Sequence, residues 1–261
     1  MAIGLIIIGD EILSGKRTDK HFAKVLELLA ARGLQLGWAE YIGDDRTRIT
    51  ATLQRSFDSD DIVFSCGGIG ATPDDHTRQC AAAALGVGLV LHPEAKVRIT
   101  QRVTELAEQG GTRLDLNASL KMGEFPLGAG IIPNPFNNVP GFSMRGDGDA
   151  GHYFVPGFPV MAHPMIEWVL DTYYSHLFHQ VAWQEKSVLV FETAESTLTP
   201  MMEAIEAEFP LVKVFSLPSV GDAQTRRHIE LGVKGEPEQV ATAFARLQAG
   251  LDGFHAEYQT A

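Results

Sequence analysis

A loop at residues 67–75, GGIGATPDD, combines groups that suit a phosphate with groups that repel one. Backbone N–H groups of a glycine-rich loop at the start of a helix bind phosphate well. The adjacent carboxylates of Asp74 and Asp75 tolerate that phosphate only when a divalent cation lies between them. Mg²⁺ is usually held by one or two carboxylates together with substrate phosphates and waters. This glycine loop therefore predicts attack at phosphorus, with Asp74 and Asp75 as metal anchors.

Two further loops combine glycine with carboxylate. Gly9, Asp10 and Glu11 follow the first predicted strand, and Gly43 and Asp44 follow the second. In open α/β sheets, ligands bind beyond the carboxyl ends of the parallel strands. We therefore expect all three loops to meet at one edge of the sheet. There Asp44 would orient a water or a second metal, and residues 9–11 would contact the ligand.

A purely structural interpretation of the glycine loop is also available. The helix macrodipole alone favours an aspartate in the first turn, and glycines at strand ends often serve only to make tight turns. Considered by itself, the loop is equally consistent with helix capping and with a site. The two other acidic glycine loops favour a site. The loop is not a Walker motif, since no GK[ST] follows, and the absence of GxGxxG disfavours a nicotinamide dinucleotide.

Three residues outside these loops are candidates for the same site. Lys121 precedes the segment MGEFPLGAG and could touch a phosphate, although a solvated surface lysine is equally ordinary. Pro156 and Gly157 lie in the segment VPGFPV, which either shapes a pocket wall or forms a simple turn. The sequence leaves both alternatives open.

The order of apolar segments predicts an α/β fold. Buried-type strands alternate with amphipathic helices through the first two thirds of the chain, which indicates a mostly parallel sheet covered on both faces. One of these helices is predicted over 73–86, with Thr72 as N-cap and Pro73 at its first position. From residue 183 the order becomes β-α-β-β-α, a small α+β module. We therefore predict domains at 1–180 and 183–261.

Composition excludes several classes of protein. The 261-residue chain has a net charge of −12 and no long basic run, so nucleic acid is not an expected partner. The opening MAIGLIIIG lacks a basic leader and is too short to span a membrane, and no membrane association is expected. The two cysteines, Cys66 and Cys80, lack metal-ligand spacing. A reduced, cytoplasmic protein is the simplest interpretation.

The acidic glycine loops resemble those of a known family. The motifs GDEILSG at 9–15, GDD at 43–45 and GGIGATPDDHT at 67–77 resemble the molybdopterin-binding domain of MoaB- and MogA-type proteins. Residues 121–142 and 155–165 narrow the resemblance to the N-terminal domain of competence/damage-inducible CinA proteins. They are also similar to the pterin-binding-like domain of eukaryotic FAD synthases. The segment after 183 resembles the small middle domain of CinA-like proteins.

The resemblance implies a three-layer α/β/α fold and assembly as a homo-oligomer. It implies that Asp44 and Asp75 are the functional aspartates, with Asp74 beside them. It also implies a phosphate or pterin loop made of Gly67, Gly68, Gly70 and Thr72. Proteins of the MogA type adenylylate molybdopterin with Mg-ATP, whereas CinA-type N-terminal domains hydrolyse ADP-ribose and related pyrophosphates with a divalent metal.

The sequence departs from the CinA pattern at two positions and in its domain content. His21 stands where an Asn is common, and Met161 replaces the Glu of the loop after Pro156. The deamidase domain of full-length CinA has no counterpart, so no deamidase activity is expected.

The sequence thus predicts a divalent-metal-dependent nucleotide pyrophosphatase acting on ADP-ribose or a similar dinucleotide, using Mg²⁺, Mn²⁺ or Co²⁺. The alternatives are a molybdopterin-binding protein, with or without adenylyl transfer, and a non-catalytic nucleotide- or pterin-binding protein. The departures at Met161 and His21 motivate the last of these.

Overall fold

A computed structural model describes residues 1–109, 114–146, 148–180, 184–222 and 225–260. By its internal contacts the chain divides into two compact units, Met1–Phe178 and His179–Ala261.

The first unit contains a six-stranded sheet and its covering helices. Its elements are β1 (Ile3–Ile8), α1 (Asp10–Leu13), α2 (His21–Ala30), β2 (Trp38–Ile42), α3 (Arg46–Phe57), β3 (Ile62–Cys66), α4 (Thr77–Leu85), β4 (Leu89–Leu91), α5 (Pro93–Glu108), α6 (Leu116–Leu120), β5 (Glu124–Pro126), β6 (Gly130–Ile132), β7 (Gly141–Arg145), β8 (Gly151–Val155) and α7 (Pro159–Tyr173). The main sheet has the order β2-β1-β3-β8-β7-β6, and β4 pairs with β5 separately. Among the described strands of the main sheet, only β7 runs antiparallel to its neighbours, so the predicted mostly parallel sheet is confirmed.

The sheet is the middle of three layers. Leu5 and Ile7 of β1 pack with helices α2 and α7 on one face. Ile6 and Ile8 point the other way and pack with α3, α4 and α5. Because successive side chains of a strand face opposite sides, a strand covered on both faces is apolar throughout. The run IGLIII is thereby explained, and the predicted three-layer α/β/α fold is confirmed.

The second unit has an antiparallel sheet with two helices. Its elements are β9 (Gln184–Phe191), α8 (Glu195–Glu208), β10 (Val212–Ser219), β11 (His228–Gly235), α9 (Pro237–Gly253) and β12 (Tyr258–Thr260). The strand order is β10-β11-β9-β12, and both helices contribute to one buried apolar cluster with the sheet. The predicted α+β module is confirmed. Strand β12 was not predicted because its three residues carry no apolar alternation.

Helix α4 begins later than the sequence predicts. The expected start at Pro73, with Thr72 as N-cap, is wrong: the helix begins at Thr77. Residues 72–75 form a turn instead, in which the Asp75 amide donates to the Thr72 carbonyl at 3.0 Å. The amide of Thr77 donates to the Gly68 carbonyl at 3.0 Å, so the first helical turn is tied to the glycine loop.

Both cysteines are buried and free. In the described part of the chain, none of the helices combines the length and the apolar character that crossing a membrane requires.

A buried histidine makes the stability of the first unit depend on pH. His152 on β8 is 4 % exposed, hydrogen-bonds Ser56 Oγ at 2.7 Å and lies 4.3 Å from the ring of Phe57, centroid to centroid. Burial lowers the pKa of its imidazole from 6.5 to about 4. Between these values the unfolded chain binds a proton that the folded chain does not, so stability falls as the pH falls through this window.

We expect the free energy of unfolding to lose about 3 kcal/mol between pH 7 and pH 4 through His152 alone. Urea unfolding of the wild type and of His152→Gln at both pH values measures this contribution as the difference between the two losses. An equal loss in the two proteins would show that His152 is not buried in its neutral form.

Candidate functional site

The glycine loop turns its carbonyls toward α4. The Gly67 carbonyl accepts from Thr77 Oγ1 at 3.0 Å, the Gly68 carbonyl from the Thr77 amide, and the Gly70 carbonyl from Arg78 Nη2 at 2.6 Å. In a trans peptide the following N–H points opposite to the carbonyl. The amides of residues 68, 69 and 71 are therefore directed away from Thr77 and Arg78.

These amides have no acceptor within the part of the chain that the structure describes. The free N–H groups are those of Gly68, Ile69, Gly70 and Ala71. Each of the four unpaired amides is a donor with a partial positive charge and can therefore bind an oxygen of an anion. The amide of Gly67 is already used, since it donates to the Val155 carbonyl at 3.0 Å. Within the predicted phosphate loop, the amides of residues 68–71 are therefore the ones free to donate to a ligand.

Glycine is required at two positions of the loop. Gly67 has φ +110° and Gly68 has φ +67°, values that glycine adopts without strain. A Cβ at Gly67 would overlap the backbone carbonyl of Ile8, and one at Gly68 would overlap the Thr77 hydroxyl. The loop therefore approaches the end of β1 and the start of α4 more closely than any other residue would allow.

The predicted metal anchors at the far end of the loop lie in different surroundings. Asp75 Oδ2 accepts from the Thr72 amide at 2.8 Å and from the Thr72 hydroxyl at 2.5 Å, which closes the turn. Asp74 is fully exposed, and its pKa is lowered by Thr72, by its own backbone amide and by His76. Asp75 thus shapes the loop with one oxygen, and Asp74 extends its charge into solvent.

The two other acidic loops are joined by reciprocal hydrogen bonds. The Asp10 amide donates to Asp44 Oδ2 at 2.8 Å, and the Asp44 amide donates to Asp10 Oδ1 at 3.2 Å. Gly43 is buried, and a Cβ there would overlap the Asp10 carboxylate. The Gly9 amide donates to the Ile42 carbonyl at 3.0 Å, so it is not free for a ligand. The ends of β1 and β2 therefore hold their carboxylates in fixed positions.

The carboxylates of the three loops influence one another electrostatically. Burial raises the pKa of the Asp44 carboxyl, against a hydrogen bond from the Asp10 amide. The charges of Asp10, Glu11 and Asp74 raise it further. Asp74 thus lies within electrostatic range of Asp44, while Asp75 is turned toward Thr72. The crowded negative charge at Asp44 is the electrostatic environment that a bound cation relieves.

A metal fits this edge only in combination with a phosphate ligand. Across the described ranges, no three or more His, Cys, Asp or Glu side chains are grouped to hold a metal ion by themselves. A hard divalent cation needs only one or two carboxylates when substrate phosphates complete its shell. Asp74 and Asp75, which follow the free amides in the same loop, supply that number of carboxylates.

The segment after β8 also reaches this edge. A Cβ at Gly157 would lie 3.5 Å from Gly67 Cα, so the backbones of the two segments are in contact. The buried His21 holds the segment, with its Nε2 3.1 Å from the Gly157 carbonyl oxygen. Burial lowers the pKa of His21, which favours the neutral ring that donates through Nε2. Pro156 is half-buried next to this contact. His21 therefore has a structural partner, the backbone carbonyl of Gly157.

The backbone of Lys121 is linked to the glycine loop by Arg78, a residue that the sequence did not single out. The buried Arg78 donates to the Lys121 carbonyl as well as to that of Gly70. Lys121 itself is exposed, at the start of a single 3₁₀ turn. An arginine in the first turn of a helix usually indicates a solvated side chain, so no sequence signal marked Arg78. Thr77 belonged to the quoted motif, and its two bonds to the loop explain why a threonine stands there.

Comparison with known proteins agrees with this arrangement. Residues 4–176 match the family model described as a probable molybdopterin binding domain. A CinA-like protein of Syntrophotalea carbinolica is 31 % identical over 84 % of this chain and 54 % of its own length. One of Geotalea uraniireducens is 30 % identical over 92 % of this chain and 55 % of its own. The chain thus spans about half the length of these curated relatives.

A solved structure supports the same assignment. The CinA protein of Thermoplasma acidophilum, whose function is described as unknown, superimposes with a TM-score of 0.55 at 26 % identity. It covers 65 % of this chain and 97 % of its own. The acidic glycine loops lie within the matched residues 4–176. The chain therefore belongs to the molybdopterin-binding, CinA-like family.

Proposed function

We propose that the chain is a divalent-metal-dependent nucleotide pyrophosphatase that acts on ADP-ribose or a similar dinucleotide. The observation that supports this most strongly is the row of free amides at residues 68–71, which the carboxylates of Asp74 and Asp75 follow in the same loop. Several donors in a row suit a diphosphate, which presents oxygens along its whole length.

Each loop has a distinct task in this proposal. The free amides hold the phosphate oxygens, and Lys121 adds a positive charge at their side. Asp74 and Asp75 anchor the cation, and Asp10, Glu11 and Gly157 line the ligand. When bound, the metal neutralises phosphate charge as a Lewis acid. A cytoplasmic homo-oligomer is the form in which we expect the protein to act.

Asp44 is the proposed general base. Its raised pKa makes it a better proton acceptor than an ordinary carboxylate. It removes a proton from a water molecule whose oxygen attacks one phosphorus of the ligand. The bond from that phosphorus to the bridging oxygen breaks, and the bridging oxygen leaves with the other phosphate. From ADP-ribose the products are AMP and ribose 5-phosphate.

Molybdopterin binding is the second candidate function, and the match to the molybdopterin-binding domain over residues 4–176 favours it. In that case the same amides hold the phosphate of the pterin, with or without adenylyl transfer. A non-catalytic ligand-binding protein would use the same contacts without turnover.

Incubation of the purified chain with ADP-ribose and Mg²⁺, Mn²⁺ or Co²⁺ tests the proposal. We expect AMP to appear in the presence of at least one metal and to be absent when the metal is chelated. ADP-ribose binding without AMP release under any metal would favour the non-catalytic protein. Saturable binding of molybdopterin together with no AMP release would favour the second candidate.

A further inference from the structure

Arg78 is a buried cation that no carboxylate of the described residues contacts directly. Its residue is 3 % exposed, and its Nε has no hydrogen-bond partner. Among the described residues no carboxylate pairs with the guanidinium directly, and Asp75 and Glu124 act on it only at longer range. Leaving an arginine buried and unpaired costs free energy, so its retention calls for a specific role.

The guanidinium joins two segments that are far apart in the sequence. Its Nη2 donates to the Gly70 carbonyl at 2.6 Å. Its Nη1 donates to the Lys121 carbonyl and lies 3.5 Å from that of Glu124. The first bond fixes the peptide that carries the free Ala71 amide, and the second fixes the start of the 3₁₀ turn that carries Lys121. One planar side chain thus sets the distance between two groups proposed to contact phosphate.

We propose that Arg78 is a positioning residue that ties the glycine loop to the Lys121 segment and makes the site selective for a multiply charged diphosphate. Because Arg78 is buried, it does not contact the ligand. It acts by holding the Ala71 amide and Lys121 in register, and its charge, which no carboxylate of the described residues pairs directly, favours an anion beyond the loop. The identity of the ligand as a diphosphate rests on the proposed function.

The geometry requires arginine and not merely a positive charge. Bonds to carbonyls of two segments use the planar fork of the guanidinium, whereas a lysine ammonium is a point charge. Arg78→Lys therefore keeps the charge and loses the bridge, and Arg78→Met loses both. Arg55→Met is the matched control, since Arg55 is 64 % exposed and pairs with Glu40 on the surface.

The test is calorimetric binding of inorganic pyrophosphate and of inorganic phosphate, with Mg²⁺, to the full chain. Measurements at low and high salt separate a buried charge from an exposed one, because salt screens buried charges much less. We expect Arg78→Met to weaken pyrophosphate binding roughly tenfold or more, the loss typical when a residue that orients a binding group is removed. The loss should persist at high salt and exceed the loss for phosphate. Arg78→Lys should recover only part of it.

Near-ultraviolet circular dichroism identifies variants that fold, and Arg78→Lys decides the matter if Arg78→Met does not fold. Full wild-type affinity in a folded Arg78→Met, or no pyrophosphate binding by the wild type, would overturn the inference. Equal losses for phosphate and pyrophosphate would also overturn it. If pyrophosphate binding depends on Arg78 but no metal supports AMP release, the proposed hydrolase activity is refuted. The inference that Arg78 positions the loop then still holds.

Discussion

Replacing Asp75 by Ala is expected to lower the rate of AMP release from ADP-ribose by about 100- to 1,000-fold, the loss typical when one charge-stabilising group is removed. The substitution removes a proposed metal anchor and also the acceptor for the Thr72 amide and hydroxyl. Both the cation and the shape of the glycine loop are then affected. The measurement is kcat and KM with ADP-ribose at saturating metal.

Two further variants separate these contributions. Asp75→Asn keeps an oxygen that can accept from Thr72 but removes the charge, so its kcat should fall nearly as far as that of Asp75→Ala. Asp60→Asn is the control, because Asp60 is exposed and precedes β3 at the opposite edge of the sheet. If Asp75→Asn kept wild-type activity, the aspartate would be a structural residue of the turn and no metal anchor.

Replacing Gly67 by Ala is expected to lower the free energy of unfolding of the first unit by about 3 kcal/mol. A Cβ at this position overlaps the backbone carbonyl of Ile8, which no side-chain rotation relieves. The backbone at φ +110° adds a conformational cost of about 1 kcal/mol or more. Urea unfolding monitored by circular dichroism measures the loss.

Two glycines that follow α4 in the sequence act as controls, one for the backbone cost and one for the substitution itself. Gly86 has φ +66° with nothing near its missing Cβ, so Gly86→Ala should cost only about 1 kcal/mol. Gly88 has neither constraint, and Gly88→Ala should leave stability unchanged within about 0.5 kcal/mol. Similar losses in all three variants would contradict the close approach of the glycine loop to β1.

The strands and their common edge were predictable because a short run of the sequence is enough to identify each strand. The run IGLIII is apolar on both faces, and an Ile- and Val-rich strand bounded by glycine is typical of a buried parallel strand. Once the strands are parallel, the acidic loops at Gly9, Gly43 and Gly67 must share an edge. The three-layer fold and the electrostatic interaction of Asp44 with Asp74 follow from that geometry.

The features that escaped prediction depend on contacts between distant segments. The start of α4 moved from Pro73 to Thr77 because Thr77 binds the Gly68 carbonyl, a tertiary contact that outweighs local helix propensity. The guanidinium of Arg78 finds its acceptors at the carbonyls of Lys121 and Glu124, which lie 43 and 46 positions later. His21 finds its partner in Gly157, 136 positions later. No pattern within a short window of sequence contains such information.

An NMR titration followed residue by residue tests whether the glycine loop binds the diphosphate. Amide ¹H–¹⁵N spectra of the labelled chain are recorded during addition of ADP-ribose with Mg²⁺ at a temperature where turnover is slow. We expect the largest chemical-shift changes at the amides of Gly68, Ile69, Gly70 and Ala71, which are free to donate. Saturable binding that leaves these four amides unchanged would contradict it.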